Sequence, residues 1–95
     1  MTGAAEILTH ATCVAIGEVG VLLRGPSGSG KSDLALRLIE EGAKLVADDQ
    51  VVLSEIAGSL LASAPRILRG KIEARGCGIL VFPYKEFVSM RLVID

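Results

Sequence analysis

The sequence predicts an α/β fold, a mixed sheet carrying one helix that follows a glycine-rich loop. Three observations lead there. Hydrophobic residues make up 51% of the 95-residue chain but aromatic residues only 3%, with no tryptophan. The core must therefore be assembled from Val, Ile, Leu and Ala, which suits layered α/β packing better than an aromatic-rich barrel or sandwich. Short apolar runs punctuated by glycine read as strands over most of the chain, whereas the residues after Lys31 switch to a helical period. The glycine-rich loop lies where the one pattern gives way to the other. A chain of this length buries roughly 60% of the surface that it exposes when unfolded. That is enough for one modest core, so a single domain over residues 1–95 is expected.

Each element follows from its local pattern. "HATCVAIGEVGVLLRG" contains two apolar runs around "GEVG", which predicts a hairpin whose second strand, 19–23, feeds the loop. From Lys31 onward, Leu34, Ala35, Leu38 and Ile39 share one helical face, while Asp33, Arg37, Glu40 and Glu41 lie opposite. Gly42 stands where a helix C-terminal glycine belongs. "AKLVADD" is a short apolar strand ending in acid, and "VVLSEIAGSLLASAP" is a hairpin turning at Gly58 and Ser59 and closed by Pro65. "ILRGKIEARGCGILVFPYKEF" reads as a loop with short strand pieces, because glycines interrupt its charged and apolar residues. "SMRLVID" is one more strand, and an unfinished sheet edge at "RLVID" predicts self-association or a partner strand there, with a homo-oligomer expected.

Charge and composition exclude several function classes. Ten basic and eleven acidic residues give a net charge of -1, which supplies no electrostatic footprint for nucleic acid or an anionic membrane. The apolar runs are too short to span a bilayer, and "MTGAAEILTH" lacks the pattern of a secretory leader, so the cytoplasm is the expected location. Cys13 and Cys77 allow at most one bridge, and with a single histidine they make no zinc site; one buried thiol and one loop thiol are expected.

Gly25, Gly30, Lys31 and Ser32 complete G-x-x-x-x-G-K-[ST], with a predicted strand before and a predicted helix after. Each residue type has a reason. Glycines let successive backbone N–H groups point inward, and the new helix adds its positive N-terminal end. Lys31 reaches phosphate oxygens as a point charge, and the Ser32 hydroxyl suits Mg²⁺, a cation that prefers oxygen. Pro26, Ser27, Gly28 and Ser29 fill the loop, the serines by turn-forming hydrogen bonds. The expected ligands are ATP, or pyrophosphate, with Mg²⁺.

Asp48 and Asp49 follow "KLVA" at the strand end. In an open α/β sheet that edge is shared with the phosphate loop. Because neighbouring strand residues point to opposite faces, the two carboxylates are expected to take different roles, one toward substrate and metal, the other orienting or pairing with a base.

Four blocks in order, "HATCVAI", "GPSGSGKSDLAL", "LVADD" and "APRIL" followed by "IEARGCGI", resemble the P-loop catalytic domain of the HPr kinase/phosphorylase family over about residues 10–80. The last block is the most specific, since few P-loop enzymes follow the grip with Glu-x-Arg-Gly-x-Gly-Ile. The resemblance implies an enzyme that phosphorylates a serine of the phosphocarrier protein HPr with ATP or pyrophosphate, and removes it by phosphorolysis, within the phosphotransferase system. It implies a fold like that of phosphoenolpyruvate carboxykinase. By position in the blocks, His10 matches the family's active-site histidine, Lys31 its P-loop lysine, and Ser32 and Glu73 its magnesium contacts. Asp49 matches the carboxylate that acts as base in the forward direction and acid in reverse, with Asp48 in support. Ile72 to Leu80 match the segment tied to both activities.

Relative to that family the sequence reads as a short form without the separate N-terminal domain, with only "PYKEFV" between "GCGILVF" and "SMRLVID". The family's arginine-bearing segment would lie past Asp95, which makes Arg75 the candidate for its charge and predicts that nucleotide binding outlasts turnover. Two other readings remain, a small-molecule P-loop kinase and a non-catalytic nucleotide-binding module. The first would need a lid and pocket; the second would not need Asp48, Asp49 and Glu73.

Overall fold

The computed structural model describes residues 5–26, 30–74 and 78–94. Among these residues nine strands and one α-helix run in the order β1 (Ala5–His10), β2 (Thr12–Ile16), β3 (Val19–Leu23), α1 (Lys31–Glu40), β4 (Lys44–Ala47), β5 (Gln50–Ile56), β6 (Ser59–Ser63), β7 (Lys71–Ala74), β8 (Gly78–Val81) and β9 (Phe87–Ile94), with a 3₁₀ turn at Arg66–Leu68. Seven strands form one curled sheet in the order β1-β5-β6-β9-β3-β2-β4, and β7 pairs with β8 apart from it. The sheet is mixed as expected. β3 and β9 run parallel, and the other pairs are antiparallel.

The curl gives the sheet two apolar layers. On the inner side Cys13, Ala15, Leu22, Val46 and Ala47 meet Val51, Ala62 and Val88, with Leu53 and Met90 packed against them. On the other side Val14, Val21 and Leu23 receive Ala35, Ala43 and Leu38 from α1 and the residues after it. The alternation of "CVAI" and "VLL" between the layers is the period-two rule for strands buried on both faces. Aliphatic and small side chains fill both layers. The composition foretold this.

Three expectations need correction. β1 was not foreseen, because "AEILTH" places Ile7 and Leu8 side by side without alternation, and both are exposed on an edge strand that has β5 as its neighbour. The β5–β6 turn is Ala57–Gly58 rather than Gly58–Ser59; both residues have positive φ (52° and 81°), the backbone demanded by a two-residue hairpin whose twist matches its strands. Leu34 on the expected apolar face of α1 is 39% exposed, since Ala35 and Leu38 make the contact with the sheet. The edge expected in "SMRLVID" is present in part: β9 runs parallel to β3 along Val19–Leu23, but β6 covers its other side only at Phe87, Val88 and Ser89, so that side has no strand partner from Met90 to Ile94 among the described residues, and Leu92, Val93 and Ile94 of β9 are exposed. Its closeness to β3 requires Gly20, where a Cβ would stand 2.7 Å from Ser89 O.

The glycine-interrupted segment forms the β7–β8 hairpin, with Ile72 fully buried. The next residues return to the main sheet, where Lys85 N–H donates to Leu45 O (2.8 Å) beside the outer strand β4. Among the described residues no helix is long and apolar enough to cross a membrane.

Cys13 is the buried thiol foreseen, and Cys77 lies outside the described residues. Burial pushes the Cys13 thiol from its ordinary 9.0 up to about 12. The unfolded thiol ionises above 9.0 while the folded one keeps its proton, so this group favours the native state fully below pH 9 and progressively less as pH rises toward 12. Native Cys13 is therefore expected to resist alkylation at pH 8 and to react only in denaturant, as followed by peptide mass mapping. Rapid native labelling would contradict its burial.

Candidate active site

The site is built at one edge of the sheet, where several elements begin or end together. β3 ends at Leu23, opposite Thr12, the first residue of β2. Cys13 sits opposite Ala47, the last residue of β4. His10, the last residue of β1, pairs with Gln50, the first of β5. The loop from β3 to α1 and the Asp48–Asp49 pair between β4 and β5 therefore emerge side by side.

The loop closes through its own lysine. Lys31 Nζ donates to Gly25 O (2.8 Å) and Pro26 O (3.2 Å). Gly30 caps α1 with φ 92°, a left-handed conformation that needs glycine, and no side chain of the described residues caps the helix there. Unsatisfied first-turn N–H groups at such a terminus favour anions. Ser27, Gly28 and Ser29 lie outside the described residues.

The two carboxylates diverge, though not for the reason the sequence suggests. β4 stops at Ala47, so the pair is not in a strand. Gln50 N–H donates to Asp48 O (2.8 Å) around Asp49, whose φ is 73°. That is a γ-turn with positive central φ, a rare and strained form. The turn is pinned by Ala11 N–H donating to Asp49 O (3.1 Å). Strain of this kind persists only where surrounding structure imposes it, and functional sites are where it gathers.

The outcome is one buried acid and one exposed acid. Asp48 is 7% exposed, and its Oδ1 accepts from Thr12 Oγ1 (2.9 Å) and from Ser32 Oγ (3.0 Å). Asp49 Oδ1 lies 2.7 Å from His10 Nε2, with both side chains half or more exposed. An exposed pair of this kind adds at most about 1 kcal/mol of stability, so its interest is chemical. Thr12 was missed from sequence. Its signal was a lone hydroxyl inside the buried run "HATCVAI", since a buried polar group must find a partner.

The side chain of Glu73 and all of Arg75 lie outside the described residues, so their expected roles are not located; Glu73 is placed by its backbone on β7, opposite Ile79. Among the described residues no group of three or more His, Cys, Asp or Glu side chains gathers to cage a metal. A hydroxyl and a carboxylate at a helix N-terminus suit Mg²⁺, which keeps water and phosphate ligands and needs few from protein.

The described residues thus form a mixed α/β fold with a curled sheet and one helix, with the G-x-x-x-x-G-K-S sequence between strand and helix and paired acids at the same edge. Residues 2–84 match the model of the HPr Serine kinase C-terminal domain, and the chain belongs to that family. It is similar to the HPr kinase/phosphorylase of Clostridium tetani, 45% identical over 80 residues. It is also similar to that of a Thermoanaerobacter species, 50% identical over 78 residues. Those matches cover 84% and 81% of the chain and 26% of each relative. The chain thus spans about a quarter of the length of these curated relatives. The solved HPr(Ser) kinase/phosphatase of Coxiella burnetii superposes with a TM-score of 0.86 at 32% identity, over 92% of this chain and 57% of that one.

The strain at Asp49 is testable. Asp49→Gly accepts a positive φ without a Cβ penalty, whereas a β-branched residue does not. Asp49→Gly is expected to match or exceed the parent stability by up to about 1 kcal/mol, and Asp49→Val to fall below it by about 1–3 kcal/mol. Urea denaturation checks both. A large loss in the glycine variant would mean that the His10–Asp49 contact holds the fold.

Proposed function

We propose that this chain is the catalytic part of an HPr kinase/phosphorylase, a cytoplasmic enzyme that transfers phosphate from ATP or pyrophosphate to a serine of an HPr-type phosphocarrier protein and reverses the transfer by phosphorolysis. The observation that carries the reading is the split of the acid pair. Asp48 is buried on the Ser32 hydroxyl beside Lys31, and Asp49 is exposed at hydrogen-bonding distance from His10. A grip that needed only to hold nucleotide would have no use for the second, solvent-facing carboxylate. The family match favours a phosphocarrier serine over a small metabolite as acceptor, and a phosphoenolpyruvate carboxykinase-like core and a homo-oligomer belong to the same reading.

The residues divide the work. Lys31 exchanges the carbonyls of Gly25 and Pro26 for phosphate oxygens, a stronger, charge-assisted contact. Ser32 donates its proton to Asp48, which leaves the lone pairs of Oγ for a cation. Mg²⁺ bound there would neutralise and align the phosphates. Glu73, from β7, is proposed as a second oxygen ligand, and Arg75 as a source of positive charge for the transferring group.

Asp49 is the proposed base. A serine hydroxyl is a poor nucleophile at neutral pH, so a carboxylate placed to take its proton is useful as the oxygen attacks phosphorus and ADP leaves. His10, donating from Nε2, holds that carboxylate in place. In reverse, inorganic phosphate attacks the phosphoserine phosphorus, Asp49 returns the proton to the serine oxygen, and pyrophosphate departs.

Two variants separate grip from chemistry. Lys31→Ala is expected to lose transfer to HPr and to weaken ATP binding in calorimetry by about tenfold or more, since it removes a charge-assisted contact. Asp49→Asn is expected to keep its ATP affinity while transfer falls by about 10² to 10⁴, the usual worth of a general base. An Asp48→Asn protein that loses far more transfer than Asp49→Asn at equal ATP occupancy would reverse the assignment.

A further inference from the structure

We propose that Thr12 is a positioning residue of the cation-binding half of the site, which fixes the Asp48 carboxylate so that it in turn holds the Ser32 hydroxyl; the proposal rests on the phosphate-loop reading above. Thr12 is completely buried, as are its neighbours Ala11 and Cys13. Its backbone is held at the β2–β3 pairing, opposite Leu23, one residue before the chain leaves the sheet for the loop. Its hydroxyl donates to Asp48 Oδ1 at 2.9 Å, and Ser32 donates to the same oxygen at 3.0 Å.

The two donors differ in what anchors them. Thr12 is β-branched, with a restricted χ1, on a strand inside the core, so its hydroxyl is a fixed point. Ser32 lies at the start of α1, and its oxygen must be free to meet a cation. A carboxylate bonded by Ser32 alone could turn with it. Bonded by Thr12 as well, it keeps one orientation, and Ser32 is pre-set with its proton toward Asp48 and its lone pairs outward. Packing alone does not account for threonine at this position, because valine has nearly the same shape and no hydroxyl to satisfy in an apolar strand. Partners one step behind a metal-contacting group commonly control metal affinity in this way.

The test is ATP affinity by calorimetry, with Mg²⁺ and in EDTA, for the parent chain, Thr12→Val, Thr12→Ser, Asp48→Asn and the Thr12→Val/Asp48→Asn double variant. Thr12→Val is expected to weaken binding in Mg²⁺ by about tenfold or more, and to leave binding in EDTA within about twofold. Thr12→Ser restores the parent value. In the Asp48→Asn background Thr12→Val has almost no further effect, which a merely structural role would not produce. If Thr12→Val does not fold, as judged by circular dichroism, Thr12→Ala takes its place in the same cycle. Unchanged Mg²⁺-dependent binding in the hydroxyl-free variant, a loss equal in EDTA, or an undiminished loss in the Asp48→Asn background would each overturn the proposal alone. A parent chain without Mg²⁺-dependent ATP binding would overturn the function reading and this proposal with it.

Discussion

Asp48 is a buried carboxylate, and everything at the working edge of the sheet is arranged around it. Burying such a group is costly unless its oxygens are hydrogen-bonded. Here Oδ1 accepts two hydrogen bonds, one from β2 through Thr12 and one from the start of α1 through Ser32. The bonds therefore tie the sheet to the helix that carries the lysine of the loop. Apolar packing of Ala35 and Leu38 against Val14, Val21 and Leu23 sets the distance between helix and sheet, and Asp48 sets the orientation of the helix terminus where it counts. Removing either hydroxyl disturbs more than one hydrogen bond, because groups in such a network position one another.

The γ-turn is the second constraint. A strand continuing through Asp48 and Asp49 would send the side chains to opposite faces of a sheet. The observed turn instead keeps the first acid under the loop and brings the second to the surface beside His10. Backbone strain at Asp49 is the cost of having two acids, one dry and one wet, within a single peptide unit of each other. Different environments at adjacent carboxylates are a general means of assigning them different chemistry.

Much of this was legible in the residues themselves. Glycine spacing, followed by a change to helical period, located the loop and α1, and the aliphatic, nearly aromatic-free composition foretold a core of Val, Ile, Leu and Ala in a layered α/β packing. The position of Lys31, Ser32 and the acids at one edge followed from strand direction. What stayed hidden depends on long-range pairing. β1 lacks alternation because its edge position leaves Ile7 and Leu8 exposed, and β9 could not be seen to enter the sheet between β6 and β3, since no local pattern encodes its neighbours. Thr12 became meaningful only when β2 was laid beside the end of β4. The bond between residues 36 apart in sequence is a product of the fold.

The most direct test of the division between a gripping acid and a reacting acid is a crystal structure of the chain with Mg²⁺ and a non-hydrolysable ATP analogue. The account predicts Ser32 Oγ on the cation while Asp48 Oδ1 stays within about 3 Å of both Ser32 and Thr12, Lys31 moved from the Gly25 and Pro26 carbonyls to the phosphates, and Asp49 still beside His10 and open to an incoming hydroxyl. A structure in which Asp48 has left Thr12, with Asp49 turned beneath the phosphates in its place, would contradict it.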